Sequence, residues 1–326
     1  MNSSCDVKQI YAQTLGQLMR KNRNIFAVDV DLMRIAGTEP VAREFPDRYV
    51  NAGIAEQNAV GVAAGIAAMG KTVFLSAFSQ FLGTRASDQC LDTVCYNELN
   101  VKLVGTYAGI SSGINGGTHI SLTDLAAFRA MPQMKVIDPA DGKEFAWALK
   151  EAAATDGPVY IRLGKGPLDD VFESETEFSP GKGQVLASCG EKGRPGKKIA
   201  LITSGITTFQ GVRAVRKLKE KGVDVTHIHM GWLKPADEDL IRRTAEDHDL
   251  MITVDNHSIV GGLGEAVSQA VAPGKAVPVI RLGIQDVFCE GMTQEQLADR
   301  HGISSGRIFD TVMKIYEDLP ERKTGK

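Results

Sequence analysis

NAGIAEQNAVGVAAGIAAMG, residues 51–70, opens on the end of a short strand and runs into a helix made almost wholly of Ala, Gly, Val and Ile. A helix so apolar on every side is expected to be buried on most sides. Glu56 stands at its mouth. An acid in a first helical turn is favoured by the helix dipole wherever it occurs. A carboxylate just beyond the carboxyl end of a strand also sits where open α/β sheets bind ligands. These residues alone leave both readings open.

Outward from this stretch, β-branched runs alternate with helical patterns, the mark of βα units and a mainly parallel sheet. Strands are predicted over residues 25–30, 49–52, 72–75, 101–105, 135–138 and 159–163. Helices are predicted over 7–21, 55–69, 84–97, 122–130 and 142–154. VKLVG and PVYIRL are apolar along most of their length, as strands covered by helices on both faces should be. Between residues 164 and 198 Gly, Pro and charged residues dominate, and only QVLAS interrupts them, which reads as a connection with a strand or two of its own. A second series follows: IALITSG, a helix over 209–220, DVTHIHM, a helix over 237–246, LMITVD, a helix opening in GGLGEAV, VPVIRLG and a last helix near 308–317. The expected architecture is α/β with two doubly wound domains. A mainly parallel sheet occupies residues 1–165, a linker 166–197, and a smaller mixed-sheet domain 198–326.

Composition narrows the function. At 43% hydrophobic and 24% charged, the 326-residue chain is an ordinary globular sequence. A net charge of -3 and the absence of a Lys/Arg run argue against a general nucleic-acid binder. Cys5, Cys90, Cys95, Cys189 and Cys289 are scattered and odd in number, which suits buried thiols better than a disulfide frame or a zinc site. MNSSCDVKQI has no basic stretch leading into an apolar run, and no segment is long and apolar enough to span a bilayer. The expectation is a soluble cytoplasmic protein with small-molecule substrates, without nucleic-acid or membrane partners.

Two further segments could carry chemistry. FLSAFSQFLGTRASDQ, residues 74–89, puts Phe78 and Phe81 at i and i+3 just after a strand, beside Ser76 and Ser79. Aromatics at that spacing serve either a core or an apolar shelf for a flat heterocycle. GTYAGISSGINGGTHISLTD, residues 105–124, runs from a strand into a loop with Gly109, Gly113, Gly116 and Gly117, then Thr118 and His119. So many glycines mark a chain that bends tightly or approaches a ligand closely, and His119 is its polar handle. GGLGEA, residues 261–266, superficially suggests phosphate binding, but it lacks the dinucleotide fingerprint and reads better as close helix–strand packing. His227 and His229 share a strand face without an evident third metal ligand. His257 suits a place at the domain interface.

GIAEQNAVGVAAG, SAFSQFL, GINGGTH and DGPVYIRLGKGP, in this order and spacing, resemble the pyrimidine-binding domain of transketolases, a pattern that deoxyxylulose-phosphate synthases share. MGWLKPAD, VDNHSIVGGLGEAV and a late IRLGI resemble the family's C-terminal domain, so the resemblance covers nearly the whole chain. It implies a thiamine-diphosphate-dependent transferase moving a two-carbon ketol unit from a ketose, bearing a phosphate or a sulfonate, to an aldose. Glu56 matches the residue that hydrogen-bonds the cofactor's aminopyrimidine and promotes its activating tautomer, a task for a carboxyl in a dry place. Phe78 and Phe81 match aromatics that pack on the pyrimidine, with Ser79 beside them in the cofactor site. Thr84 falls where many transketolases carry another aromatic. His119 matches a histidine that meets the reacting carbonyl and hydroxyl groups, where it holds a proton or orients the sugar. Arg162 matches an arginine on the substrate's distal phosphate, although an arginine at a strand end suits pairing with a carboxylate equally well. Tyr107 and Asn115 stand where transketolases commonly have His and Asp in contact with the sugar, which puts ordinary pentose-phosphate specificity in question.

The superfamily holds the cofactor's diphosphate through a divalent metal such as Mg2+, bound by a Gly-Asp-Gly motif and a following Asn. No Gly-Asp-Gly occurs in this sequence. The resemblance therefore implies a separate N-terminal transketolase subunit that carries the diphosphate and metal, with no metal ligands on this chain. It also implies an α2β2 heterotetramer with the active site at the interface. Rival readings are half of a deoxyxylulose-phosphate-synthase-like enzyme, the beta subunit of a 2-oxo-acid dehydrogenase, and a non-catalytic scaffold.

Overall fold

In the computed structural model of the chain, residues 6–166, 168–189 and 197–320 are described. Cys5 and part of the Gly/Pro-rich connection lie outside them. The first half supplies β1 (Ile25–Asp29), β2 (Tyr49–Asn51), β3 (Thr72–Phe78), β4 (Val101–Thr106), β5 (Lys135–Ile137) and β6 (Val159–Leu163). The second supplies β7 (Gln184–Ala187), β8 (Ile199–Thr203), β9 (Val225–His229), β10 (Trp232–Lys234), β11 (Leu250–Ser258) and β12 (Val279–Ile284). They form a seven-stranded sheet in the order β10-β5-β6-β4-β3-β1-β2 and a five-stranded sheet in the order β12-β11-β8-β9-β7. Every pairing is parallel except β10 with β5 and β7 with β9. This is the α/β architecture with one mainly parallel and one mixed sheet that the alternation of elements predicts.

Helices cover both faces of the large sheet. Val7–Lys21 and Gly142–Ala154 pack on one face through Tyr11, Leu15, Phe145 and Leu149, against Phe74 and Ile161. The Asp141 carboxylate accepts from the amides of Lys143 and Glu144 and so caps the second of these helices. On the opposite face lies Glu56–Ala68, whose Ala59, Val60, Ala63 and Ala64 join one continuous apolar cluster with Val73 and Leu75. In the small sheet, alternate residues of β8 point opposite ways. Ile199 and Leu201 meet the helices Thr207–Glu220 and Ser305–Asp318, whereas Ala200 and Ile202 join the cluster that reaches under the large sheet.

Several details depart from the sequence reading. Trp232–Lys234 leaves the second half and adds itself antiparallel to β5, so the large sheet is built from both halves. The helix expected over 84–97 starts earlier, as Ser79–Gly83, and breaks at Thr84, whose hydroxyl bonds back to the Gln80 carbonyl at 2.6 Å. It resumes as a wide π-type segment over Gln89–Cys95. Glu56–Ala68 is buried on one side only: Gln57, Asn58, Gly61, Gly65 and Ala68 are exposed. A Cβ added at Gly61 or Gly65 would meet nothing within 4 Å. Among the described residues, no helix is long and apolar enough to cross a membrane.

Candidate active site

The carboxyl ends of β3 and β4 meet the N-terminus of Glu56–Ala68, and the residues singled out above gather there. Phe78 closes β3 and lies at the centre of an edge-to-face cluster. Its ring centroid is 5.6 Å from Phe81, 5.3 Å from Tyr107 and 5.6 Å from His119. Phe81 and His119 close the group at 5.3 Å. His119 is half-buried, and its Nδ1 lies 3.0 Å from the Thr118 hydroxyl. Tyr107 is held at φ 57°, a conformation costly for a bulky residue. Burial raises its phenol pKa. Asn115 is exposed at the end of the 3-10 segment Gly109–Asn115.

Glu56 has a side chain only 3% exposed, and its Oε2 accepts from Arg85 Nη1 at 2.9 Å. The Arg85 guanidinium in turn lies over the Phe81 ring, 4.1 Å from its centroid. Arg85, Phe81, Thr84, Gly117, Thr118 and Phe288 line a cleft of about 510 Å3. A buried carboxylate at a helix N-terminus beside an aromatic ring that lines a cleft fits the aminopyrimidine end of thiamine diphosphate. Lys165 stands at the other side of the cluster, exposed, with its ammonium 5.0 Å from the Tyr107 ring centroid.

The glycines of the 105–124 loop have a second reason to be glycine. A Cβ at Gly117 would lie 2.8 Å from the Cys289 carbonyl oxygen, and one at Gly113 3.2 Å from that of Met292. The second half therefore packs its backbone directly on the loop that carries His119, and it contributes Phe288, 90% exposed, to the cleft wall. Asn256 adds a lock: its Oδ1 accepts from the Ile110 amide at 2.8 Å and its Nδ2 donates to the Ala108 carbonyl at 3.2 Å.

Two expected site residues lie elsewhere. Arg162 does not face the cleft. It is fully buried between the halves, donating from Nε and Nη2 to the two Asp124 oxygens at 2.7 and 3.1 Å and from Nη2 to the Asn256 carbonyl at 2.8 Å. An Asp138 oxygen lies 3.5 Å from its Nη1. Burial opposes Asp124's charge, but the Arg162 guanidinium outweighs it and holds that carboxyl below its ordinary range. A phosphate could reach this arginine only by breaking that network. Ser79 is also fully buried, and a Cβ at Gly105 would touch both its hydroxyl and the Tyr160 phenol, so its side chain points into the strand layer. The sequence reading passed over Arg85, Lys165 and Phe288. Arg85 lies inside the quoted 74–89 segment and Lys165 inside YIRLGK, but neither carries a local signal of its own.

The remaining polar signals are structural. His257 is buried against Asp124, and burial pushes its pKa down to about 4. His229 binds Glu144 at 2.8 Å and His227 the Thr203 hydroxyl at 3.0 Å. Among the described residues, no group of three or more His, Cys, Asp or Glu could hold a metal. A Cβ at Gly261 would strike Ala126 at 2.3 Å, and the Leu263 amide at the following helix start is taken by Asp255, so GGLGEA serves packing.

A fold of this kind with such a cleft defines a class of enzyme. The chain belongs to the transketolase family: residues 3–169 match the description "Transketolase, pyrimidine binding domain" and residues 189–308 "Transketolase, C-terminal domain". Within the family it is the C-terminal subunit of a split enzyme, a transketolase-type transferase that works as part of a pair. It is 37% identical to a protein of Methanocaldococcus jannaschii described as a transketolase C-terminal section, over 93% of this chain and 94% of the relative. It is 33% identical to the 6-deoxy-6-sulfo-D-fructose transketolase subunit SqwH of Clostridium sp. (strain MSTE9), over 95% of this chain and 94% of that subunit. A solved split-gene transketolase, described as an inactive beta4 tetramer, superposes with a TM-score of 0.86 at 35% identity, over 96% of this chain and 98% of its own.

Proposed function

We propose that this subunit binds the aminopyrimidine end of thiamine diphosphate and the donor sugar, and that a partner chain grips the diphosphate through a divalent metal. The observation that carries the reading is the buried Glu56 carboxylate at the mouth of its helix, beside the cleft that Phe81 lines. When bound, the cofactor supplies a nucleophilic carbon and an electron sink for cleaving a carbon–carbon bond. Glu56 shares a proton with the pyrimidine ring nitrogen, and Phe81 and Phe78 pack against that ring and keep water from it. His119 faces the sugar, where its imidazole holds the hydroxyl proton as the two-carbon unit separates. Asn115, on the loop before His119, is a candidate contact for the sugar hydroxyls. Lys165 beside Tyr107 replaces Arg162 as the cation for an anionic tail, which the sulfosugar named for the SqwH relative makes either phosphate or sulfonate.

The partner is an N-terminal transketolase subunit, and the assembly an α2β2 heterotetramer in the cytoplasm. The open side of Glu56–Ala68 supports it, for small residues there are flanked by Ile54 at 79% and Met69 at 77% exposure. The four described cysteines are free, which agrees with a reducing compartment. The test is to mix the purified subunits with thiamine diphosphate and magnesium and to offer ketose phosphates, sulfoketoses and 2-oxo acids. Ketol transfer that needs both chains is expected. Decarboxylation of a 2-oxo acid without ketose cleavage would move the protein to the 2-oxo-acid dehydrogenase reading. A Glu56→Gln pair as active as wild type would remove the catalytic assignment.

A further inference from the structure

Arg85 makes two contacts that a bound pyrimidine ring would also need. It holds an oxygen of the buried Glu56 carboxylate at 2.9 Å, and its guanidinium carbon lies over Phe81, 4.1 Å from the ring centroid. A carboxylate oxygen that already accepts from a guanidinium has a lone-pair direction occupied, and that direction is closed to a ring nitrogen. An aromatic face covered by a planar cation is closed to a stacking heterocycle. Arg85 is also free to leave. Its side chain is 48% exposed, and it sits in the turn after the Ser79–Gly83 helix, which Thr84 ends by bonding back to Gln80.

We propose that Arg85 is a placeholder for the cofactor's aminopyrimidine: it satisfies Glu56 and covers Phe81 before loading, and it must swing away for the ring to enter. The inference rests on the reading of Glu56 and Phe81 given above. It makes Arg85 a residue that sets cofactor affinity by competition, without contributing to the bond-breaking step. The ion pair keeps a lone buried carboxylate from being stranded in the free subunit, a state that would otherwise cost stability. Loading then exchanges one flat partner for another.

The test uses the assembled two-chain enzyme and measures the Kd of thiamine diphosphate, with magnesium present, by calorimetry. Arg85→Gln removes the charge and the planar cap, and it is expected to lower the Kd by about three- to tenfold, the worth of a half-exposed ion pair and a ring contact. In a Glu56→Gln background the same substitution should gain less, because the carboxylate that Arg85 holds is gone. Arg85→Lys keeps a charge that cannot lie flat and should fall between wild type and Arg85→Gln. Melting curves and co-elution with the partner check that each variant folds and assembles, and Arg85→Lys is read alone if Arg85→Gln does not. An unchanged or higher Kd in Arg85→Gln, or in Arg85→Lys when it alone assembles, overturns the placeholder, the second outcome making Arg85 a cofactor ligand instead. A wild-type pair that binds no thiamine diphosphate would instead refute the underlying reading of the site.

Discussion

Arg162 and Asp124 form a two-bonded ion pair in which both side chains have no exposed surface. The Tyr160 phenol donates to the same Asp124 at 2.6 Å, and the Asn256 carbonyl takes a further bond from Arg162. One guanidinium thus ties β6, the helix Asp124–Ala130 and β11 into a single unit directly behind the loop that carries His119. It positions the site from behind without entering it.

Removing one partner strands the others. Arg162→Leu leaves the Asp124 carboxylate buried and unpaired, and a loss of about 3–5 kcal/mol in urea unfolding is expected. Were Arg162 a substrate ligand, the variant would keep its stability and raise only the KM for anionic sugars.

Asn256 should act on the same loop through hydrogen bonds. Asn256→Ala leaves the Ile110 amide without its partner and takes one bond from the Ala108 carbonyl, which keeps Ser111, at a cost of about 2 kcal/mol. Gly109 sits at φ 56°, and a Cβ there would come within 2.3 Å of Asn256. Gly109→Ala should therefore be destabilising too, and the two losses should be less than additive in the double variant because they break one contact. Full additivity in denaturant unfolding would contradict a shared lock.

His119 and Lys165 should separate in steady-state kinetics of the assembled enzyme. His119→Asn is expected to lower kcat/KM by about a hundredfold for every donor and leave cofactor affinity unchanged. Lys165→Met is expected to raise KM for donors with a charged tail and spare uncharged ketoses. Equal losses on both donor types would remove Lys165 from the tail site.

Acid should destabilise the subunit through its buried histidines. Burial pushes the pKa of His227 down to about 3 and that of His257 to about 4, from an ordinary 6.5. Both stay neutral in the folded chain while the unfolded chain takes up their protons. Stability is therefore complete above the unfolded value and falls as pH drops below 6.5 toward those lower values, by up to about 1.4 kcal/mol per pH unit for each group. His227→Gln should flatten this limb in unfolding experiments at pH 4.5 to 7, and an unchanged slope would exclude His227 as a contributor.

Elements with a strong period or a cap were legible. Val7–Lys21, Gly142–Ala154 and β6 have the bounds that their patterns predict. The helix Gln294–Arg300 was not anticipated, although its signal is in the sequence: Thr293 and Gln296 form a capping box. Residues 84–97 misled, because helical composition cannot reveal that a Thr hydroxyl turns back on its own helix and that wide π-type bonds follow.

The sequence by itself determined the kind of protein and marked the stretches proposed to carry its chemistry. Alternating α and β periods, Glu56 at a helix mouth, Phe78 and Phe81 after a strand and His119 after a glycine loop are all local patterns that survive without coordinates. Which polar groups face the cleft was decided only by tertiary structure, because it depends on partners far away in the chain. Arg162 is taken by Asp124 and Asn256, Glu56 is met by Arg85, and the glycines before His119 make room for the backbone of residues 289 to 292. Burial and charge pairing are properties of neighbours in space, and a linear sequence specifies them only once it has folded.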